Sequence, residues 1–399
     1  MHFIIITQSL LLLSCCGITA TAALSFIPPA AKTDMHMKAV QQMAVPQVSD
    51  RVVFGTAAIA QATDPFGLLD AAYHKGVRRF DLARTYGSGT SEKIFGEWMA
   101  SRCIDRADIN IITKGGMGDD KYGDPTRNLL TGSVLMGEVE ASLNTLGTDR
   151  VDMYMFHRDD PRLSVEQFVT WANEIVQAGK ASSWGVSNWS FDRFCEAHRY
   201  AVSEGLHPPC ANSPQLSLAV PQCEIWPTTY SISSHEHESQ IDWYENNGVE
   251  LVCWEVLAKG FMAVPTLWSK EDVDRSTFDN TFETGTNEWR LQRIQRAYCH
   301  LENYRRRETA IKIGEEFGLK LPQVAALYAL SVRDNVSIIC GFLEPEHIDD
   351  MIGLEDLVLV KECVLGDEEE LLISNCIETA KSVADAAPAD AIVDAIGVC

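Results

Sequence analysis

A chain of 399 residues, 46% hydrophobic and 22% charged, is too long for one small domain and has the composition of a soluble globular enzyme. That balance excludes wholesale disorder, a collagen-like repeat and a polytopic membrane protein. Thirty-three basic residues against 56 acidic ones give a net charge of −23, a field that repels phosphate backbones and anionic lipid, so neither nucleic acid nor an acidic membrane is an expected partner.

The first 25 residues read as a signal peptide. Residues 3–13 are almost wholly apolar, broken only by Thr7, Gln8 and Ser9, and the small residues Thr19, Ala20, Thr21, Ala22 and Ala23 follow. The run is short for a stable membrane span. Residues 26–48 form a second, transit-peptide-like segment: Phe26 stands near the junction, and Lys32 and Lys38 face a single acid, Asp34. The two in series are the arrangement of a chain routed through the secretory pathway to a complex plastid, with no stable membrane association after processing. The cysteines agree with a reducing destination. Ten of the twelve lie beyond Cys15 and Cys16, they form no C-x-x-C, and Cys253 and Cys340 sit in apolar runs where a thiol behaves as a small hydrophobe.

From Arg51 onward short apolar runs alternate with helical patterns. Eight runs, at 51–55, 77–81, 109–114, 151–157, 183–188, 210–215, 249–254 and 337–341, are predicted strands. Several are continuously apolar, as strands of a parallel sheet buried on both faces should be. Helices are predicted at 65–75, 91–100, 133–146, 164–177, 191–203 and 237–247, then over 291–317, 322–331 and 346–355. Ser133 and Ser164 are candidate N-caps, and Gly147, Gly179 and Gly248 stand where helices should end. Eight βα units over residues 49–365 spell a (β/α)8 TIM barrel, an α/β fold with an N-terminal targeting extension and an acidic, then Ala-rich, C-terminal tail over 366–399. The irregular stretch 258–287 is too long for a plain connection and is expected to be a functional loop over the barrel mouth.

Barrel enzymes place their chemistry at the C-terminal ends of strands. Here the strands end in Asp81, Lys114, His157, Ser187-Asn188, Gln215 and Trp254-Glu255, with Tyr86 five residues beyond Asp81. One polar ending is ordinary; six with different, chemically useful groups point to a site. A phenol has a pKa of about 10, too high for easy proton donation near neutrality. A neighbouring Lys114 ammonium is expected to lower that of Tyr86, with Asp81 holding the lysine and His157 orienting a carbonyl oxygen. The set suits protonation of an alkoxide as hydride arrives at carbon. Ser187, Asn188 and Gln215 offer groups for a carboxamide, and Trp254 a flat face for a nicotinamide.

These residues carry a resemblance. The stretch Gly76 to Gly96, containing Asp81, Tyr86, Gly87, Ser91 and Glu92, resembles the first signature of the aldo-keto reductases, and Gly179 to Asn188 resembles their second. Lys114 and His157 fall where that family keeps its other two catalytic residues. The resemblance implies Tyr86 as the acid, tuned by Lys114 and Asp81, with His157 orienting the substrate. It further implies a dinucleotide extended across the barrel mouth. Ser187, Asn188 and Gln215 would bind its carboxamide, Trp254, Glu255 and Leu257 would line the nicotinamide and pyrophosphate, and Gly341 and His347 would lie at the adenosine 2′-phosphate. Two positions depart from the pattern. Glu255 stands where the family commonly has serine, and the segment around His347 lacks the usual lysine or arginine while carrying Glu344. NADPH is therefore the expected cofactor, with NADH also admitted. A small-molecule carbonyl compound is the expected substrate, bounded by Trp189 and the loops 117–126 and 258–287.

Two other readings are weighed against a reductase. One is a regulatory or scaffold protein that binds the nicotinamide cofactor with little turnover. The other is an aldolase using Lys114 as a Schiff base, which leaves Tyr86 and Ser187-Asn188 without a role. No metal site is expected; His235 and His237 read as a solvated loop or helix start. Monomer and homo-oligomer both remain open.

Overall fold

A computed structural model describes residues 51–117, 130–233, 236–266, 268, 286–352 and 354. The targeting segments 1–25 and 26–48, the tail 366–399, His235 and most of the loops 117–126 and 258–287 lie outside these residues. Eight strands, β1 (Val52–Gly55), β2 (Arg79–Asp81), β3 (Asn110–Gly115), β4 (Val151–Phe156), β5 (Ala181–Ser187), β6 (Ala211–Ser213), β7 (Glu250–Cys253) and β8 (Val336–Gly341), pair in order and in parallel. The barrel closes between β1 and β8, with Phe54 opposite Cys340 and Gly55 opposite Gly341.

The helices outside the barrel are α1 (Pro65–His74), α2 (Thr90–Arg102), α3 (Gly132–Leu146), α4 (Val165–Gln177), α5 (Phe191–Ser203), α6 (Glu238–Asn246), α7 (Asn287–Tyr298), α8 (Leu301–Phe317), α9 (Leu321–Ser331) and α10 (Glu346–Asp349). Pro65 at the first position of α1 lacks only an N–H that would have had no helical partner, and Asp64 caps the helix through Gly67 N–H. Ser164 caps α4 in a box with Gln167. Three expectations are corrected. The cap of α3 is Thr131, two residues before Ser133. The helical text at 291–317 is two helices, broken where Cys299 leaves helical geometry and His300 becomes extended. The helix predicted over 346–355 gives way to a turn at Asp350, so α10 ends at Asp349, and position 355 lies outside the described residues.

Strand period two explains why the runs read as continuously apolar. Val53, Ile112, Met153, Met155, Ala211 and Val252 meet inside the barrel. The residues between them, among them Phe54, Phe80, Ile111, Tyr154, Phe156 and Leu251, pack outward against the helices. Each strand therefore needs apolar residues on both faces. The inner face turns polar at both ends. At the floor Arg79 makes a bidentate ion pair with Glu250 at 2.5 and 2.6 Å, and Ser337 donates to the same carboxylate. A separate apolar cluster, including Leu218, Phe261, Met262, Tyr298, Tyr304 and Tyr328, joins the segments after β6 and β7 to α7, α8 and α9.

Candidate active site

The same period two gathers the site. Asp81 lies two residues beyond Arg79, Lys114 two beyond Ile112, His157 four beyond Met153, Gln215 four beyond Ala211, Trp254 two beyond Val252 and Gly341 two beyond Ile339. All are in phase with the inner face and emerge at one end of the barrel. Ser187 shares that phase, because its strand pairs Gly185 with Met155.

Asp81 and Lys114 are almost fully buried and form a direct ion pair. Lys114 Nζ also donates to Leu82 O at 3.2 Å and to the Tyr86 hydroxyl at 3.2 Å, and the hydroxyl donates to Asp81 Oδ2 at 3.2 Å. Tyr86 reaches this position because the chain turns sharply after it, with φ of 55° at Gly87, 58° at Ser88 and 90° at Gly89. Glycine takes such left-handed angles at little steric cost. Burial first, and the Asp81 charge second, push the phenol well above its ordinary pKa. This corrects the expectation that Lys114 would lower it: the lysine charge is answered by Asp81, which itself disfavours a second anion at the phenol. Tyr86 is thus held as a neutral phenol. Burial raises Asp81 and lowers Lys114, each opposed by the attraction between them.

His157 stands edge-on to Tyr86, ring centroids 5.7 Å apart, and its Nδ1 pairs with Thr85 Oγ1 at 3.3 Å. Burial, followed by the Arg158 and Lys114 charges, holds the imidazole well below its usual pKa. It is neutral at pH 7 and can donate only one hydrogen bond outward from the ring. The sign for stability follows. A histidine unfolded at a pKa of about 6.5 takes a proton the folded one refuses, so stability is present above about pH 6.5 and is lost as pH falls toward the depressed folded value. We expect His157→Gln to flatten the acid limb of a urea-denaturation series from pH 7 to pH 5, by up to about 1.4 kcal/mol per pH unit. An unchanged limb would show that the imidazole titrates alike in both states.

A single carbonyl organises the opposite side of the mouth. Ser213 O accepts from Ser187 Oγ at 3.1 Å, from Asn188 N–H at 3.0 Å and from Trp254 Nε1 at 3.2 Å. Asn188 has φ of 62°, which asparagine tolerates better than most residues. Its amide is largely committed, donating to Ser187 Oγ at 2.8 Å and accepting from Tyr230 N–H at 3.2 Å. Gln215 is different. Nε2 donates to Ser217 Oγ at 2.8 Å, while the buried Oε1 has no hydrogen-bond partner among the described residues. A buried acceptor left so is costly unless a ligand supplies the donor. A carboxamide N–H would, so the nicotinamide end of a dinucleotide fits the residues present.

Glu255, whose side chain is 6% exposed, accepts from Trp226 Nε1 at 2.9 Å and Tyr298 OH at 3.5 Å and pairs with Lys259 at 3.0 Å. Trp226 and Tyr298 were not singled out from sequence, since they come from separate segments, whereas Lys259 lies four residues along the same one. Leu257 packs against both major apolar clusters. Gly341 ends β8 on the inner face, and His347 is exposed on α10. Trp189 does not border the mouth as expected: it is fully buried against Phe168, centroids 4.9 Å apart. His237 accepts from Ser233 N–H through Nδ1 at 3.2 Å, a structural use of that ring.

Comparison with known proteins places this arrangement in a class. The aldo/keto reductase family profile matches residues 51–365, and the chain belongs to that family. It is 26% identical over 313 residues to a probable voltage-gated potassium channel subunit beta of Arabidopsis thaliana, covering 77% of this chain and 87% of that protein. It is 26% identical over 322 residues to versiconal hemiacetal acetate reductase of Aspergillus parasiticus, covering 76% of this chain and 85% of that one. Among solved structures it resembles a thermostable aldo-keto reductase in complex with the inhibitor epalrestat, with a TM-score of 0.55 and 19% identity, covering 84% of this chain and 97% of that one. That likeness bears on the fold. The family is one of oxidoreductases that generally bind NADP(H) and act on small carbonyl substrates.

Proposed function

We propose that the chain reduces an aldehyde or ketone to the alcohol, with Tyr86 as proton donor and NADPH preferred over NADH. The observation that carries this reading is the Tyr86 hydroxyl, 3.2 Å from both Lys114 Nζ and Asp81 Oδ2 and edge-on to a neutral His157. Ser187, Gln215 and Trp254 would hold the nicotinamide, which when bound supplies the hydride. His157 donates a hydrogen bond to the substrate oxygen and sets it against Tyr86. As negative charge grows on that oxygen, Tyr86 gives up its proton. The phenolate left behind is stabilised by the Lys114 ammonium already donating to it, and Asp81 keeps that ammonium in place. Lys114 suits this role better than a Schiff base, because its ammonium donates to Asp81, Leu82 O and Tyr86. A Schiff-base amine must be neutral and open to substrate.

A second reading has a specific observation in its favour. Three of the similar proteins carry the name of potassium channel subunit beta, and a chain of that kind would bind dinucleotide while serving chiefly a partner. NADPH consumption with 4-nitrobenzaldehyde separates the two. Turnover supports the reductase; binding of NADPH without turnover of any simple aldehyde supports the second.

Cofactor choice has its own test. The segment after β8 presents His347 and Glu344, both exposed, and carries no arginine between Cys340 and Asp350. An arginine on phosphate makes a strong charge-assisted contact. His347→Arg should therefore tighten NADPH about tenfold while leaving NADH nearly unchanged, as measured by tryptophan quenching. Equal affinities before and after would mean that this segment does not hold the 2′-phosphate.

A further inference from the structure

The acid at position 255 directly follows Trp254, the proposed face for the nicotinamide. A nicotinamide seated on Ser187, Gln215 and Trp254, as the proposed function has it, would bring the rest of the dinucleotide beside the residues that follow Trp254. There the chain folds back on itself, with φ of 53° at Glu255, 48° at Ala258 and 53° at Lys259. The Glu255 charge also reaches the mouth, where it adds to the upward push on Tyr86.

The partners of Glu255 are of two kinds. Trp226, from the segment after β6, and Tyr298, at the end of α7, are neutral donors fixed on other elements. Lys259 is a cation whose side chain is 41% exposed and whose ammonium also lies 5.8 Å from the Trp226 ring centroid. The neutral donors keep the carboxylate satisfied whether or not the lysine stays. A diphosphate carries more charge than one carboxylate and can draw the ammonium away without stranding a buried acid.

We propose that Glu255 is a resident competitor for Lys259 against the diphosphate of the dinucleotide, limiting how tightly the cofactor is held and hastening its release. This rests on the dinucleotide-dependent reading above. The competitor acts on the diphosphate, so its effect is the same for NADPH, NADH and adenosine diphosphoribose, unlike that of His347→Arg.

The test is Glu255→Gln, which keeps an amide oxygen for Trp226 Nε1 and removes the charge. Dissociation constants for NADPH and NADH come from tryptophan quenching, that for adenosine diphosphoribose from calorimetry, and release rates from stopped flow. All three ligands should bind about tenfold more tightly, mostly through slower release. Lys259→Met should weaken all three, and should shrink the gain from Glu255→Gln in the double variant. A natively melting Glu255→Gln with unchanged or weaker affinity overturns the competition. If that variant does not fold, Lys259→Met decides, because unchanged affinity for adenosine diphosphoribose overturns it equally. A wild-type protein that binds none of the three ligands overturns the dinucleotide reading itself, a different result from normal binding that Glu255→Gln leaves unaltered.

Discussion

Tyr86→Phe should lower kcat by about 10²–10⁴-fold while leaving the dissociation constant for NADPH within about twofold. In the proposed reading the phenol would meet the dinucleotide only at the reacting centre, whereas Ser187 and Trp254 are organised around Ser213 O on the other side of the mouth, with Gln215 held beside them by Ser217. The two functions should therefore separate in one variant. Phenylalanine keeps the edge-to-face contact with His157, whose centroid lies 5.7 Å away, so the loss reports the hydroxyl and not the ring. A rate within threefold of wild type would remove Tyr86 from the role of acid. It would leave His157, or a water, as the proton source.

The second large effect is on stability. Lys114→Met leaves the Asp81 carboxylate buried, with the Tyr86 hydroxyl in place of its cation. Breaking one half of a buried ion pair costs about 3–5 kcal/mol, and we expect a loss of that order in urea denaturation at pH 7, together with loss of turnover. The pH dependence gives the sign. Burial already raises the Asp81 pKa and Lys114 opposes it. With the lysine gone, the folded carboxyl titrates well above its unfolded value of about 3.9. A group raised in this way contributes stability below its unfolded pKa and loses it as pH rises through the folded value. The deficit of Lys114→Met relative to wild type should therefore shrink on going from pH 8 to pH 5. Adding Asp81→Asn should recover part of it at pH 8, because no buried charge then remains. A deficit independent of pH would show that Asp81 is not the group left uncompensated.

Much of this protein was legible in its residues. Eight short runs separated by helical patterns specify a parallel barrel, because such strands must be apolar on both faces, and all eight fall within a few residues of their predicted places. The polar residues that close those runs were equally visible: a barrel strand leaves the core at the mouth, so Asp81, Lys114, His157, Ser187 and Gln215 mark a candidate site by position alone. Helix ends were read less well, since Thr131 and Ser133 are both good caps and only packing selects between them.

What sequence could not determine were quantities set by distance through space. The pKa of Tyr86 depends on whether Asp81 or Lys114 dominates beside it, and that depends on burial and on the ion pair between them. Trp189 had the right sequence position to line the mouth, yet its side chain points into the core against Phe168. The fate of Glu255 was least legible of all. Trp226 stands 29 residues before it and Tyr298 stands 43 after it, and neither separation carries a period or motif. Local pattern encodes which face of a strand a residue occupies. Which charges meet there is decided only when the barrel closes and brings distant loops within hydrogen-bonding range.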